Sequence, residues 1–179
     1  MILFAAIGVP NGLMRDMERI QKGVSGARWR DPESFHITLA YFGEVNDDDA
    51  EELDRRLADR SFSSFDLRIK GVGHFGKAQP HQLWAGLEDE TALAKLNAHC
   101  RSAARGAGIA MERRVFRTHL TLAYLAETVD IDRLIKFEQR HVKLTSKSWL
   151  VDEFQLWSSH RRKTGPNLYR VEATYPLLG

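Results

Sequence analysis

Two histidines, each followed two residues later by a threonine, are the groups in this sequence best suited to acid–base chemistry: His36-Ile-Thr38 and His119-Leu-Thr121. The surrounding stretches, His36-Ile-Thr-Leu-Ala-Tyr-Phe42 and His119-Leu-Thr-Leu-Ala-Tyr-Leu125, agree at five of seven positions and lie 83 residues apart, close to half of a 179-residue chain. Two copies of one structural unit would produce that echo. Free imidazole titrates near pH 6.5, so a pair can offer one neutral and one protonated ring near neutrality. An in-line displacement at phosphorus uses such a pair, a base for the attacking oxygen and an acid for the leaving one. The hydroxyls of Thr38 and Thr121 suit the non-bridging phosphate oxygens.

Strands must carry these groups. Side chains alternate along a strand, so His36, Thr38 and Ala40 share one face while Ile37, Leu39 and Tyr41 share the other. The second copy repeats the division, with His119, Thr121 and Ala123 against Leu120, Leu122 and Tyr124. Tyr41 and Tyr124 are therefore expected in the core. A pseudo-twofold axis between the copies would bring the two His/Thr faces together across one cleft. Apolar periodicity and turn residues predict strands over 1–7, 35–42, 65–72, 82–87, 115–125, 149–157 and 168–175, and helices over 11–23, 50–57, 91–107 and 131–140. Residues 73–80 read as a turn and 158–167 as a polar loop. No linker or low-complexity segment divides the chain, so residues 1–179 are expected to form a single α+β unit of two similar lobes with a shared cleft.

Composition narrows the function classes. A formal charge of +2 does not fit a protein that coats nucleic acid, so phosphate recognition must come from a local site. Cys100 is the only cysteine, which excludes an internal disulfide and a cysteine-based zinc cage. The apolar start at 1–7 is too short for a transmembrane helix and wrongly flanked for a signal peptide; a buried first strand and a cytoplasmic protein are expected. Trp29, Phe42 and Trp157 are candidates for stacking an unpaired base, whereas Trp84 and Trp149 are expected to fill the core. Arg161-Arg162-Lys163 reads either as a solvated turn or as a patch that steers RNA. His74, His81, His99, His141 and His160 have no paired context and read as structural.

The sequence resembles the two-histidine phosphoesterase superfamily, and within it the RNA 2′,3′-cyclic phosphodiesterases, also described as 2′-5′ RNA ligase-like proteins. The resemblance rests on Arg28-Trp29, Pro32-Glu33, the stretch from His36 to Val45, Gly71-Val-Gly-His-Phe75, Leu83-Trp-Ala-Gly-Leu87, Phe116, His119 to Ala123, and an ending that includes Ser159 and Tyr169. It implies two βαβ-type lobes with antiparallel sheets lining a central cleft, and hydrolysis of 2′,3′-cyclic phosphate RNA ends to 2′-phosphates, with reversible ATP-independent 2′-5′ joining as the same chemistry run with a ribose hydroxyl. In that assignment His36 is the proton donor to the leaving 3′-oxygen and His119 the acceptor that activates water. Neither metal nor cofactor is implied; the partner is an RNA end or nucleotide carrying the cyclic phosphate, and a monomer without an obligate protein partner or membrane association is expected. Two positions depart from the family pattern. Thr118 stands where proline is common, and Tyr124 where a basic residue is frequent, leaving Arg117, Arg161, Arg162 or Arg170 to supply the missing charge.

Three other readings stay open. A zinc hydrolase needs at least a third ligand converging on the histidines. A non-catalytic RNA-binding relative would keep the fold without turnover. A related esterase would act on 2′-5′ linkages or small cyclic nucleotides.

Overall fold

Apolar β-branched runs alternate with amphipathic stretches, and the chain folds accordingly. In the computed structural model, which describes residues 1–88, 90–112, 115–165 and 167–179, the order is β1 (Ile2–Gly8), α1 (Asn11–Ile20), β2 (Ala27–Trp29), a 3-10 turn (Pro32–Ser34), β3 (His36–Glu44), α2 (Asp47–Ala58), β4 (Phe65–Phe75), β5 (Gln82–Glu88), α3 (Thr91–Gly106), β6 (Leu120–Leu125), α4 (Ile131–His141), β7 (Trp149–Val151), β8 (Glu153–His160) and β9 (Leu168–Pro176). Helix starts follow their chemistry. Asn46 caps α2 by accepting from the Asp49 amide, with Asp47, Asp48 and Asp49 at the positive end of the dipole. Asp130 caps α4 in the same way through the Arg133 amide. No helix of the described residues is long and apolar enough to cross a membrane.

The strands form one antiparallel sheet in the order β7-β4-β5-β6-β3-β1-β8-β9, with β2 paired to β6. The order is pseudo-symmetric about its middle: β6 and β3 carry the two histidine motifs, β5 and β1 flank them, and β4 and β8 lie outside those. The two copies meet where Ile37 pairs with Leu120. These are equivalent residues of the repeat, so the local twofold axis passes between them. The two-lobed α+β architecture expected from the echo is thus built on one continuous sheet.

Both copies carry the same irregularity. Against β1, Ala40 pairs with Ala5 and Thr38 with Ala6, leaving Leu39 extra. Against β5, Ala123 pairs with Leu83 and Thr121 with Trp84, leaving Leu122 extra. Each bulge displaces a carbonyl that is caught by a helix-side amide: Asn97 Nδ2 donates to Leu39 O (2.6 Å) and Gln21 Nε2 to Leu122 O (3.1 Å). A bulge shifts the alternation by one residue. The expectation that Tyr41 and Tyr124 enter the core is therefore wrong: they are 56% and 40% exposed.

Other expected bounds also change. The strand predicted over 115–125 begins only at Leu120, because its first residues are held elsewhere: Thr118 donates to the Glu90 carboxylate and the Arg117 carbonyl accepts from the His119 ring. That hydroxyl gives Thr118 a tether that proline could not provide. The run predicted over 149–157 splits at Asp152, whose carbonyl accepts from Leu177 N (2.7 Å), so β7 joins β4 while β8 joins β1. β4 continues to Phe75 because Phe75 pairs with Gln82, and α1 ends at Ile20, three residues early.

Candidate active site

His36, Thr38, His119 and Thr121 line one small cavity of about 120 Å³, together with Arg30, Ser34, Gln82, Tyr124 and Tyr169. The antiparallel crossing at Ile37 and Leu120 explains the arrangement. One step away on either side, His36 falls beside Thr121 and Thr38 beside His119, on the same face of the sheet. Each histidine is also oriented alike. His36 Nδ1 donates to Ser34 O and His119 Nδ1 to Arg117 O, both at 2.8 Å and both to the residue two before. With Nδ1–H held by the backbone, the Nε2 lone pair is the proton-transfer position of each ring.

The surroundings of the two rings differ where the repeat has diverged. Position 4 of β1 corresponds to position 82 of β5 in the paired registers. Phe4 packs on the His36 ring at 5.0 Å, joined by Trp157 at 5.6 Å and Tyr169 at 5.4 Å. Gln82 instead presents an amide. Its Nε2 donates to Thr121 Oγ1 (2.6 Å) and to His119 Nε2 (3.1 Å), a contact that the neutral ring accepts. Phe75 supplies the edge-on aromatic contact to His119 at 5.0 Å. Burial in this apolar cage pushes the His36 imidazole down to about 4, an effect that the Ser34 carbonyl opposes and the charges of Arg30 and His119 reinforce. Burial also lowers His119, against the opposing hydrogen bond to Arg117.

Arg30 is the guanidinium that lines the cavity, and nothing in the sequence pattern marks it. Its backbone is fixed by Arg30 N donating to Leu122 O (2.8 Å) and by Gln21 Nε2 donating to Arg30 O (2.8 Å). Its side chain lies over Tyr124 at 5.6 Å and Tyr169 at 5.4 Å. The charge expected from Arg117, Arg161, Arg162 or Arg170 does not come from them in this cavity. Arg117 lies over Phe75 at 5.9 Å and lines the neighbouring groove; the other three are exposed and do not line the cavity.

The stacking candidates also move. Trp157 is 9% exposed and its indole donates to Gln155 (3.0 Å), so it walls the His36 ring and has no face to offer a base. Phe42 is 4% exposed, turned into the core by the register beyond the bulge. Trp29 packs on Phe137 of α4. Among the remaining histidines, His74 meets the Glu138 carboxylate at 2.6 Å, while His99 and His141 bond to the Leu57 and Phe137 carbonyls. Burial pushes the Cys100 thiol up to about 12, which leaves it unreactive. Among the described residues no three His, Cys, Asp or Glu side chains come together as a metal site would require.

A pair of imidazoles, hydroxyls beside them and one guanidinium form a set suited to an anionic diester. Known proteins with related sequences are consistent with that chemistry. Residues 9–163 match the 2′-5′ RNA ligase superfamily. An RNA 2′,3′-cyclic phosphodiesterase of Thermotoga maritima is 32% identical over 161 residues, covering 87% of this chain and 82% of the relative. One of Archaeoglobus fulgidus is 31% identical over 126 residues, 68% of this chain and 71% of the relative. The crystal structure of TT0787 from Thermus thermophilus superposes with a TM-score of 0.77 at 25% identity, over 100% of this chain and 99% of that one. Sequence match, fold and the paired motif agree: the chain belongs to the 2′-5′ RNA ligase superfamily.

Proposed function

We propose that this protein hydrolyses RNA 2′,3′-cyclic phosphate ends to 2′-phosphates without a metal, with His36 as proton donor and His119 as proton acceptor. The observation that carries the reading is the meeting of two His-x-Thr motifs at one cavity, each imidazole held through Nδ1 so that Nε2 is its proton-transfer atom, with the Gln82 amide on His119 Nε2 giving way to the attacking water. The cyclic phosphate lies between the rings. His119 Nε2 takes a proton from water as the new P–O bond forms, and His36 Nε2 gives a proton to the 3′-oxygen as the P–O3′ bond breaks. The Gln82 amide favours a neutral His119 and so supports its assignment as base. Thr38, Thr121 and Arg30 hold the non-bridging oxygens. A ribose hydroxyl in place of water would give 2′-5′ joining by the same proton transfers. The donor set around the cavity supports metal independence. Both walls of the cavity come from one chain, so the proposed chemistry needs no residue of a second copy; a monomer acting in the cytoplasm belongs to the same reading. The test is turnover of an oligoribonucleotide ending in a 2′,3′-cyclic phosphate with EDTA present. A 2′-phosphate product is expected; loss of activity in EDTA that zinc restores would sink metal independence.

Arg30 and the acidity of His36 are linked through the same anion. A donor with a pKa near 4 is almost wholly neutral at pH 7, so kcat/KM, which reports the free enzyme, must fall as pH rises above that value. The bound phosphate monoanion favours imidazolium and raises the His36 pKa, so the falling limb of kcat is expected at higher pH than that of kcat/KM. Arg30→Met removes a charge-assisted contact worth about 1.5–3 kcal/mol, roughly a 10- to 150-fold loss in kcat/KM. The same substitution removes a positive neighbour of His36, so the falling limb of kcat/KM should move upward in pH. An unchanged pH profile with full activity would show that Arg30 reaches neither the phosphate nor the histidine.

A further inference from the structure

The pseudo-symmetry of the fold also fails at a groove. Beyond the Ile37–Leu120 crossing the two motif strands diverge. On the β6 side the gap is filled by β2, whose Ala27, Arg28 and Trp29 pair with Leu125, Tyr124 and Ala123. The corresponding residues 83 positions later, 110–112, form no strand against β3. Among the described residues a groove of about 540 Å³ remains there, bounded by the edge of β3 from Thr38 to Glu44, by α3 and by 110–112 and 115–117. Its volume is within the range of about 300–1,000 Å³ typical of organic ligand sites. Six residue steps of strand give it a length of roughly 20 Å, long enough for more than one nucleotide.

The groove joins the candidate active site, because Thr38 and His119 line both. A 2′,3′-cyclic diester holds its ribose edge-on to phosphorus through two oxygens, so the RNA chain leaves the reaction centre sideways. At the other end of the cavity Phe4, Trp157 and Tyr169 close around His36, whereas the His119 end continues into the groove. Its walls fit a single strand. Tyr41, turned outward by the bulge, offers an exposed ring midway along β3, and Arg101 and Arg117 add positive charge. Glu44 and Glu112, which also line the groove, are poor neighbours for phosphate and limit where the backbone can run.

We infer that this groove binds the single-stranded RNA immediately 5′ of the cyclic phosphate, with a base stacked on Tyr41 and the backbone held by Arg101 and Arg117. The inference rests on the reaction proposed above and makes the preferred substrate an oligoribonucleotide rather than a cyclic mononucleotide. Its test compares kcat/KM for a four-nucleotide RNA ending in a 2′,3′-cyclic phosphate with that for 2′,3′-cyclic AMP, alongside Kd values for a fluorescent four-nucleotide RNA ending in a 2′-phosphate and for 2′-AMP. Tyr41→Ala is expected to lower the oligomer-to-mononucleotide ratio about 5- to 150-fold, the usual value of one stacked base, while Tyr41→Phe keeps it. Arg101→Gln should flatten the salt dependence of oligomer binding by roughly 0.7 in log–log slope. Turnover with the same ratio in Tyr41→Ala as in wild type overturns the groove assignment and leaves the reaction standing. If neither substrate turns over, the proposed reaction falls, and the Kd ratio and its response to Tyr41→Ala still decide whether RNA occupies the groove.

Discussion

Alanine at His36 or at His119 is expected to lower kcat/KM for a 2′,3′-cyclic phosphate RNA by roughly 10²–10⁴-fold, the usual contribution of a positioned acid or base. The double substitution should cost little more than the worse single one, because groups that act in one proton-transfer sequence are not additive. The roles separate with the leaving group. A phosphodiester whose leaving group is a nitrophenolate needs no proton, so the loss in His36→Ala should shrink with that substrate while the loss in His119→Ala persists. The reverse pattern would exchange acid and base and leave the rest of the mechanism intact. Equal losses with both substrates would make the rings electrostatic rather than proton-transferring. Neither ring spans the sheet core, and circular dichroism of both variants should match wild type.

The differences between the two rings were beyond the reach of the sequence motif, and the reason is physical. The repeats His36–Tyr41 and His119–Tyr124 are almost the same, so strand alternation predicts the same surroundings for both. What breaks their equivalence is the neighbouring strand: Phe4 from β1 beside one ring and Gln82 from β5 beside the other. Those positions come together only through the register of pairing, which a motif does not encode. Arg30 was hidden for a similar reason. It reaches the site because its amide joins the ladder at Leu122, 92 residues away.

The tyrosines expose a more local failure. Period-two reasoning assumes an uninterrupted ladder, and both motif strands carry a bulge at leucine. The sign was present in the sequence: Leu39-Ala40 and Leu122-Ala123 put two apolar residues in succession where strict alternation allows one. Reading that doublet as a bulge would have turned Tyr41 and Tyr124 outward, one to the groove and the other to the cavity. The positions of His36, Thr38, His119 and Thr121 were legible because each lies before the bulge of its own strand and keeps the simple alternation.

Leu120→Ala is expected to destabilise the fold by about 2–5 kcal/mol, a large share of the roughly 5–15 kcal/mol that holds a typical domain. Leu120 and Ile37 are both fully buried and face each other where the two halves of the sheet meet, so truncation leaves a cavity that neither half can close alone. Urea denaturation should show a lower midpoint with an unchanged slope. Ile37→Val, which removes one methyl group, should cost only about 0.5–1.5 kcal/mol. The double variant Ile37→Ala with Leu120→Ala should depart from additivity by about 0.5–3 kcal/mol, as residues sharing one cavity do. Additive effects would mean that each side chain packs within its own half, and the twofold joint would then rest on backbone alone. Activity gives a second reading of the same joint. His36 and His119 each sit one residue from it, and a displacement of about 1 Å at a reacting group can cost 10²-fold in rate. Leu120→Ala protein that is still folded at low temperature should therefore lose kcat as well as stability, because the same contact that joins the lobes sets the distance between the two imidazoles.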